Sequence, residues 1–241
     1  MKDTIAFWGY PHPELIKKTK EEYKNAKWLD LDVDFGAKKT SILPENYCSI
    51  IKNIFNNAIE NKDKIIKILA PIGRDKCDSA LFTVEILKDI GFLIETSIFE
   101  EKTYKKNSTP ISTSNLPLKE KVELITANII NEKDYSNLEQ SEATVGFWGV
   151  PPNDLSILEL FPNSTHVFGW MRCVEMMAPY DLEVEQFVNP NIKTVFFAQT
   201  FCAKNQLAKY LANKYNGLYI DIDGNSNNST RAKIEAFLRL K

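Results

Sequence analysis

The sequence predicts an α/β protein built from two doubly wound domains with parallel sheets, related by an approximate internal two-fold. Three observations carry that prediction. Apolar, strand-like segments alternate with amphipathic helical ones along the chain, the pattern of parallel strands joined by right-handed crossovers. The octet Thr4–Pro11, TIAFWGYP, returns as Thr144–Pro151, TVGFWGVP, identical at five of eight positions including the Trp. The four cysteines form two pairs of equal spacing, Cys48 with Cys77 and Cys173 with Cys202, each 29 residues apart. A repeat at this separation means two related halves, since a solenoid repeats every ~20–50 residues.

The first half, residues 1–101, reads as strand 4–9, helix 13–27, strand 28–33, helix 44–60, strand 64–70, helix 78–90 and strand 92–98. Strand 4–9 is a short apolar run that ends in a Gly-Pro turn. Helix 13–27 carries Leu15, Ile16, Tyr23 and Ala26 as its apolar positions. Helix 44–60 sets Ile50, Ile51, Ile54, Phe55, Ala58 and Ile59 on one face, with Pro44 suited to its first turn. Asp78-Ser79 opens the third helix. Residues 102–142 read as a linker: Thr103–Pro117 is rich in Ser, Thr, Asn and Pro, and the amphipathic helix Leu118–Asn131 follows, striped by Leu118, Val122, Ile125 and Ile129. The second half, 143–241, reads as strand 143–148, helix 153–160, strand 165–169, a short helix near 172–177, strand 193–199, helix 203–215, strand 217–222 and helix 229–240.

Charge narrows the class of partner. With 30 basic and 32 acidic residues the net charge is −2, so the chain has no basic field for nucleic acid and no polybasic face for an anionic membrane. No apolar run approaches the ~20 residues of a membrane helix, and the opening MKDTIAFWGYPHPE does not read as a signal peptide. A cytoplasmic location is the expectation. Four cysteines without a secretory signal argue against a disulfide framework, and no CxxC is present to suggest a zinc ribbon or a thioredoxin-type site.

On the expected map all four cysteines fall on the carboxyl side of strands, near helix N-termini. Ligands bind at that edge in open α/β sheets, and a helix N-terminus favours the thiolate that binds metal. Four thiolates would suit zinc. An iron–sulfur cluster takes three or four and, with three, leaves one iron open. Spacing alone does not choose between them, and buried, inert cysteines are the plain alternative.

The C-terminal stretch VFFAQTFCAKNQLAKYLANKYNGLYIDIDGNSNNSTRAKIEAFL resembles the end of the 2-hydroxyacyl-CoA dehydratase and benzoyl-CoA reductase family. Phe201-Cys202, Asp221 with Asp223, and Thr230-Arg231 through Ile234-Glu235-Ala236-Phe237 carry the likeness. Pro13-Glu14-Leu15-Ile16, Tyr47-Cys48-Ser49 and Cys77-Asp78 extend it to the first half. The resemblance implies two flavodoxin-like (Rossmann-like) domains holding a [4Fe-4S] cluster in the cleft between them. Its ligands would be Cys48, Cys77 and Cys202, with Cys173 as a candidate fourth. It also implies low-potential reductive or dehydration chemistry, fed by an ATP-hydrolysing activator protein or another electron donor, with the chain as one subunit of a homo- or heterodimer. A non-catalytic electron carrier, a metallocofactor maturation factor and a structural zinc protein are the alternatives. Family chains are usually far longer. Here the middle region is short and arginine occurs only at 74, 172, 231 and 239, which points away from a CoA thioester and towards a small substrate, a completing subunit or a protein.

Two further residues are candidates for chemistry. His12 follows the first strand and is a candidate proton donor, with a surface turn as the plainer role. Arg231 opens the last helix, where a cation opposes the dipole, so an acid or a phosphate is expected beside it. His166 reads as structural. With two histidines in all, no Ser-His-Asp or zincin arrangement is available.

Overall fold

The computed structural model describes residues 2–74, 76–100 and 109–239, and the chain divides into two compact units, Met1–Glu100 and Glu101–Lys241. The first contains β1 (Thr4–Phe7), α1 (Pro13–Glu22), β2 (Lys27–Asp30), α2 (Ser49–Glu60), β3 (Ile65–Pro71), α3 (Asp78–Asp89) and β4 (Ile94–Ser97). The strands pair in parallel in the order β2-β1-β3-β4. That order is flavodoxin-like, and each link between neighbours is a helical crossover because parallel strands cannot be joined by a tight turn. β1 is buried along its whole length, as expected of a strand covered on both faces. Ala6 and Trp8 pack with Leu31, Ile51, Ile54, Phe55, Ala58, Val84 and Leu87 in one core under α2 and α3.

The second unit repeats the plan: α4 (Leu118–Asn131), β5 (Val145–Gly149), a 3-10 helix (Leu155–Leu160), β6 (Thr165–Phe168), α5 (Trp170–Glu175), α6 (Leu182–Gln186), β7 (Lys193–Ala198), α7 (Asn205–Lys214), β8 (Leu218–Asp221) and α8 (Asn228–Arg239). Its all-parallel order, β6-β5-β7-β8, matches the first sheet position for position. The two FWG-containing octets thus begin the two sheets at equivalent strands. Among the described residues no helix is long and apolar enough to cross a membrane.

Several extents differ from expectation. α1 ends at Glu22, and Ala26 N–H bonds to Tyr23 O at 3.0 Å in the turn that leads into β2. α2 begins at Ser49, not in the Pro44 turn, so Cys48 is its N-cap residue. The helix expected in a linker packs instead into the second unit, against α5, β6 and the 3-10 helix. Lys121 on its inner face is fully buried, and its Nζ donates to Asn163 O at 2.8 Å and Thr165 O at 2.6 Å. Burial pulls this ammonium down to about 8. The expected surface linker is also tied down where it is described. Ile111, Ser112 and Ser114 are buried, and the Glu175 carboxylate accepts from the Ile111 and Ser112 amides and the Ser112 hydroxyl. Residues 101–108 lie outside the described residues.

The paired glycines that end β1 and β5 differ in tolerance. A Cβ on Gly149 (φ +155°) would lie 2.3 Å from Phe197 O, whereas the nearest atoms to one on Gly9 (φ +56°) are the end of Lys76 at 3.0 Å and the Pro71 ring at 3.3 Å. Gly9→Ala is expected to cost about 1–2 kcal/mol, the price of a left-handed residue. Gly149→Ala is expected to cost more than about 3 kcal/mol, because backbone must move. Urea unfolding of both variants checks the order, and equal losses would contradict it.

Candidate functional site

Parallel strands run their carboxyl ends to one edge, and the crossover helices return with their N-termini at that same edge. In the first unit the strand order reverses between β1 and β3, so the segments after these strands flank the switch point. Cys77 ends the segment after β3 as the N-cap residue of α3, and Cys48 is the N-cap residue of α2. N-caps are normally Ser, Thr, Asp or Asn, whose oxygens accept from the first turn. Here neither thiol makes such a bond. Tyr47 Oη and Ser79 Oγ are 3.0 Å apart, tying the starts of the two helices together. Cys77 is exposed and Cys48 half-buried.

In the second unit Cys202 occupies the turn between β7 and α7, equivalent to Cys77. Its N–H bonds to Gln199 O at 2.9 Å, and its carbonyl accepts from Asn205 N at 3.0 Å. It is half-buried, beside the exposed Phe201. Cys173 is different. Gly169 (φ +73°) turns the chain from β6 straight into α5, which places Cys173 a turn inside a packed helix rather than at its start. The thiol has no exposure and donates to Asp181 O at 3.8 Å. Burial, and then the Glu185 carboxylate, push its pKa far up. It behaves as a core cysteine.

Two carboxylates at the edge of the first unit escaped the sequence reading. Asp30 ends β2, and Asp32 lies just past it. Asp32 accepts the Gly9 N–H, and Asp30 Oδ1 accepts the Asp32 N–H at 3.0 Å. Burial raises Asp32 to about 6 against the opposing pull of the Gly9 amide and the Lys76 cation. Asp30 is likewise raised, by burial and then by the charge of Asp32. The alternation in LDLDVD was the available signal. It reads as the solvent face of a strand 28–33 unless the strand stops at Asp30, as it does.

Trp8 leaves the end of β1 at the same edge. It is 3% exposed, and its Nε1–H finds no hydrogen-bond partner among the described residues. The equivalent Trp148 donates to Glu185 O at 2.6 Å.

The remaining candidates are structural in their contacts. His12 is the N-cap of α1, its Nδ1 accepting from Glu14 N at 3.2 Å, and its ring stands 5.2 Å from Phe99. His166 donates from Nε2 to Ser141 O at 2.9 Å, and burial lowers its pKa. Arg231 has the acid expected beside it at one remove: Nη1 donates to Ser156 Oγ at 3.0 Å, and that hydroxyl donates to Asp154. Burial works to raise Asp154, but bonds from Ser156 and Ser226 outweigh it and hold the carboxyl at about 2.

Among the described residues no three His, Cys, Asp or Glu side chains are grouped to hold a single metal ion. The donor chemistry nevertheless fits thiolate ligation. Cys48, Cys77 and Cys202 are accessible at helix starts or the turn before one, and the core cluster that holds Trp8, with its orphan N–H donor, has Cys48 packed against it. No protein-family model matches the chain, and no curated protein matches it. The likeness to the dehydratase and reductase family therefore rests on the residues quoted above.

Asp32 yields a pH prediction. With its pKa raised from 3.8 to about 6, its share of stability is full below about pH 4 and is lost as pH rises through about 6. Asp32→Asn keeps an acceptor for Gly9 and removes the charge. It is expected to match wild type near pH 4 and to exceed it by about 1–2 kcal/mol at pH 8, after allowance for partial solvent screening. Denaturant midpoints at the two pH values check this. A gain equal at both would show that ionisation is not its source.

Proposed function

We propose that the chain is an iron–sulfur protein that carries a [4Fe-4S] cluster on Cys48, Cys77 and Cys202 and performs low-potential reductive or dehydration chemistry on a small substrate. The observation that carries the proposal is the pair of cysteines at the N-caps of α2 and α3, coupled through Tyr47 and Ser79 on the ligand edge of a parallel sheet. Cys202 holds the turn equivalent to that of Cys77 and supplies the third thiolate. When bound, a cluster held by three thiolates supplies an electron at low potential and one iron with a vacant coordination position.

The burial of Cys173 favours the catalytic reading over the electron carrier, because a fourth thiolate would close that position. Asp32, raised by burial to about 6, supplies what reductive and dehydration chemistry also needs, a group able to give or accept a proton near neutral pH. The electron comes from a separate donor, with an ATP-hydrolysing activator as the partner implied by the family likeness.

Anaerobic reconstitution with iron and sulfide tests the ligand set. Wild type and Cys173→Ala are expected to take up iron and sulfide in equal amounts and to show the same reduced-state EPR spectrum. Cys48→Ala, Cys77→Ala and Cys202→Ala are each expected to lose most of the bound iron. Loss of the cluster in Cys173→Ala with retention in Cys202→Ala would overturn the assignment. Tight zinc without sulfide uptake would replace it with the structural-metal reading.

A further inference from the structure

The Trp8 indole presents a donor that the fold buries without satisfying. Burying an N–H strips it of water, and native structures nearly always return a partner. The second unit shows how this fold does so. At the equivalent position Trp148 Nε1 donates to Glu185 O, supplied by α6, the short helix that follows α5 after β6. The first unit has no counterpart of α6. There the chain after β2 runs through residues 31–48 directly to the N-cap of α2. Trp8 lies in one core cluster with Leu31 and with Ile51 of the first turn of α2, and Tyr47 and Cys48 pack against that cluster at its margin. The unpaired donor follows β1 and the half-buried thiol caps α2, both at the carboxyl edge of the sheet and both in contact with one core cluster.

We infer that the Trp8 Nε1–H is the hydrogen-bond donor to a sulfur of the bound cluster on its Cys48 side. Trp8 is a positioning residue that sets the cluster's reduction potential. The inference rests on the iron–sulfur reading above. An N–H directed at a cluster sulfur withdraws electron density and stabilises the reduced form, so it raises the potential. Phe7, the neighbour of Trp8 in the repeated FWG motif, has no such role. It is buried, with its ring 6.2 Å from Trp28 in an edge-on contact.

Trp8→Phe and Trp148→Phe, compared in the reconstituted protein and in the metal-free chain, test this. Both variants lose the same ring volume, and only Trp148 loses a hydrogen bond made within the chain. Trp8→Phe is expected to bind iron and sulfide in wild-type amounts and to shift the midpoint potential to a more negative value in a redox titration. Metal-free Trp8→Phe is expected to melt at a higher temperature than metal-free Trp148→Phe. Trp148→Phe is expected to leave the potential at the wild-type value. An unchanged potential in Trp8→Phe, or equal shifts in the two variants, overturns the inference while leaving the iron–sulfur reading intact. If Trp8→Phe fails to assemble a cluster, reduced wild type labelled with 15N in its indoles decides by pulsed EPR. A 15N coupling to the cluster that persists in a variant with Trp28, Trp148 and Trp170 all changed to Phe supports the inference, and its absence from wild type overturns it. A wild-type chain that takes up no iron and sulfide overturns both readings together.

Discussion

Sealing the central strands on both faces is the constraint on which the rest depends. β1 and β5 are buried from end to end, so neither can present a reactive group along its length. Chemistry is left with the strand ends. Parallel pairing then selects one of the two edges, because every crossover helix must start where a strand finishes. Cysteines at helix starts, carboxylates just past β2 and the Trp that follows β1 are consequences of one topological rule applied to a polar minority of residues.

Duplication let the two halves divide these consequences unequally. Each unit has the same strand order and the same FWG segment, yet the element after the second strand differs. In the second unit Gly169 turns β6 at once into α5, and α6 follows to cap the Trp148 indole. In the first unit the longer excursion through 31–48 leaves that place open and delivers Cys48 to a helix N-cap. A single change of connection thus accounts for two contrasts: Cys48 accessible and Cys173 sealed, Trp8 unpaired and Trp148 bonded.

The order of strands and helices was legible because apolar periodicity and the repeat point the same way. The stripe of Leu118, Val122, Ile125 and Ile129 announced a helix, but a stripe does not name its partner, and α4 proved to be part of the second unit. α6 escaped because a five-residue helix has too few turns to show a period. The edge positions of Cys48, Cys77 and Cys202 followed from element order alone. The burial of Cys173 did not, since equal spacing says nothing of how soon a helix follows its strand. Asp30 and Asp32 were hidden by a strand expected to run three residues further than it does.

Energetics separate the two edges further. Asp154 is held ionised by hydroxyls and amides already in place, and Trp148 by a carbonyl. Asp30 and Asp32 are raised, and Trp8 is unpaired, all within one corner of the first unit. Each is a local conflict that folding alone would remove, since an Asn at 32 or a Phe at 8 would be the easier residue to bury. Conflicts of this kind collect where a structure is kept for something other than stability. Under the iron–sulfur reading a bound cluster gives the indole its acceptor, and its net negative charge with three thiolates reinforces the burial that keeps the carboxylates protonated. Under that reading the first unit is the half completed at its Trp8 corner by the ligand, and the second contributes Cys202.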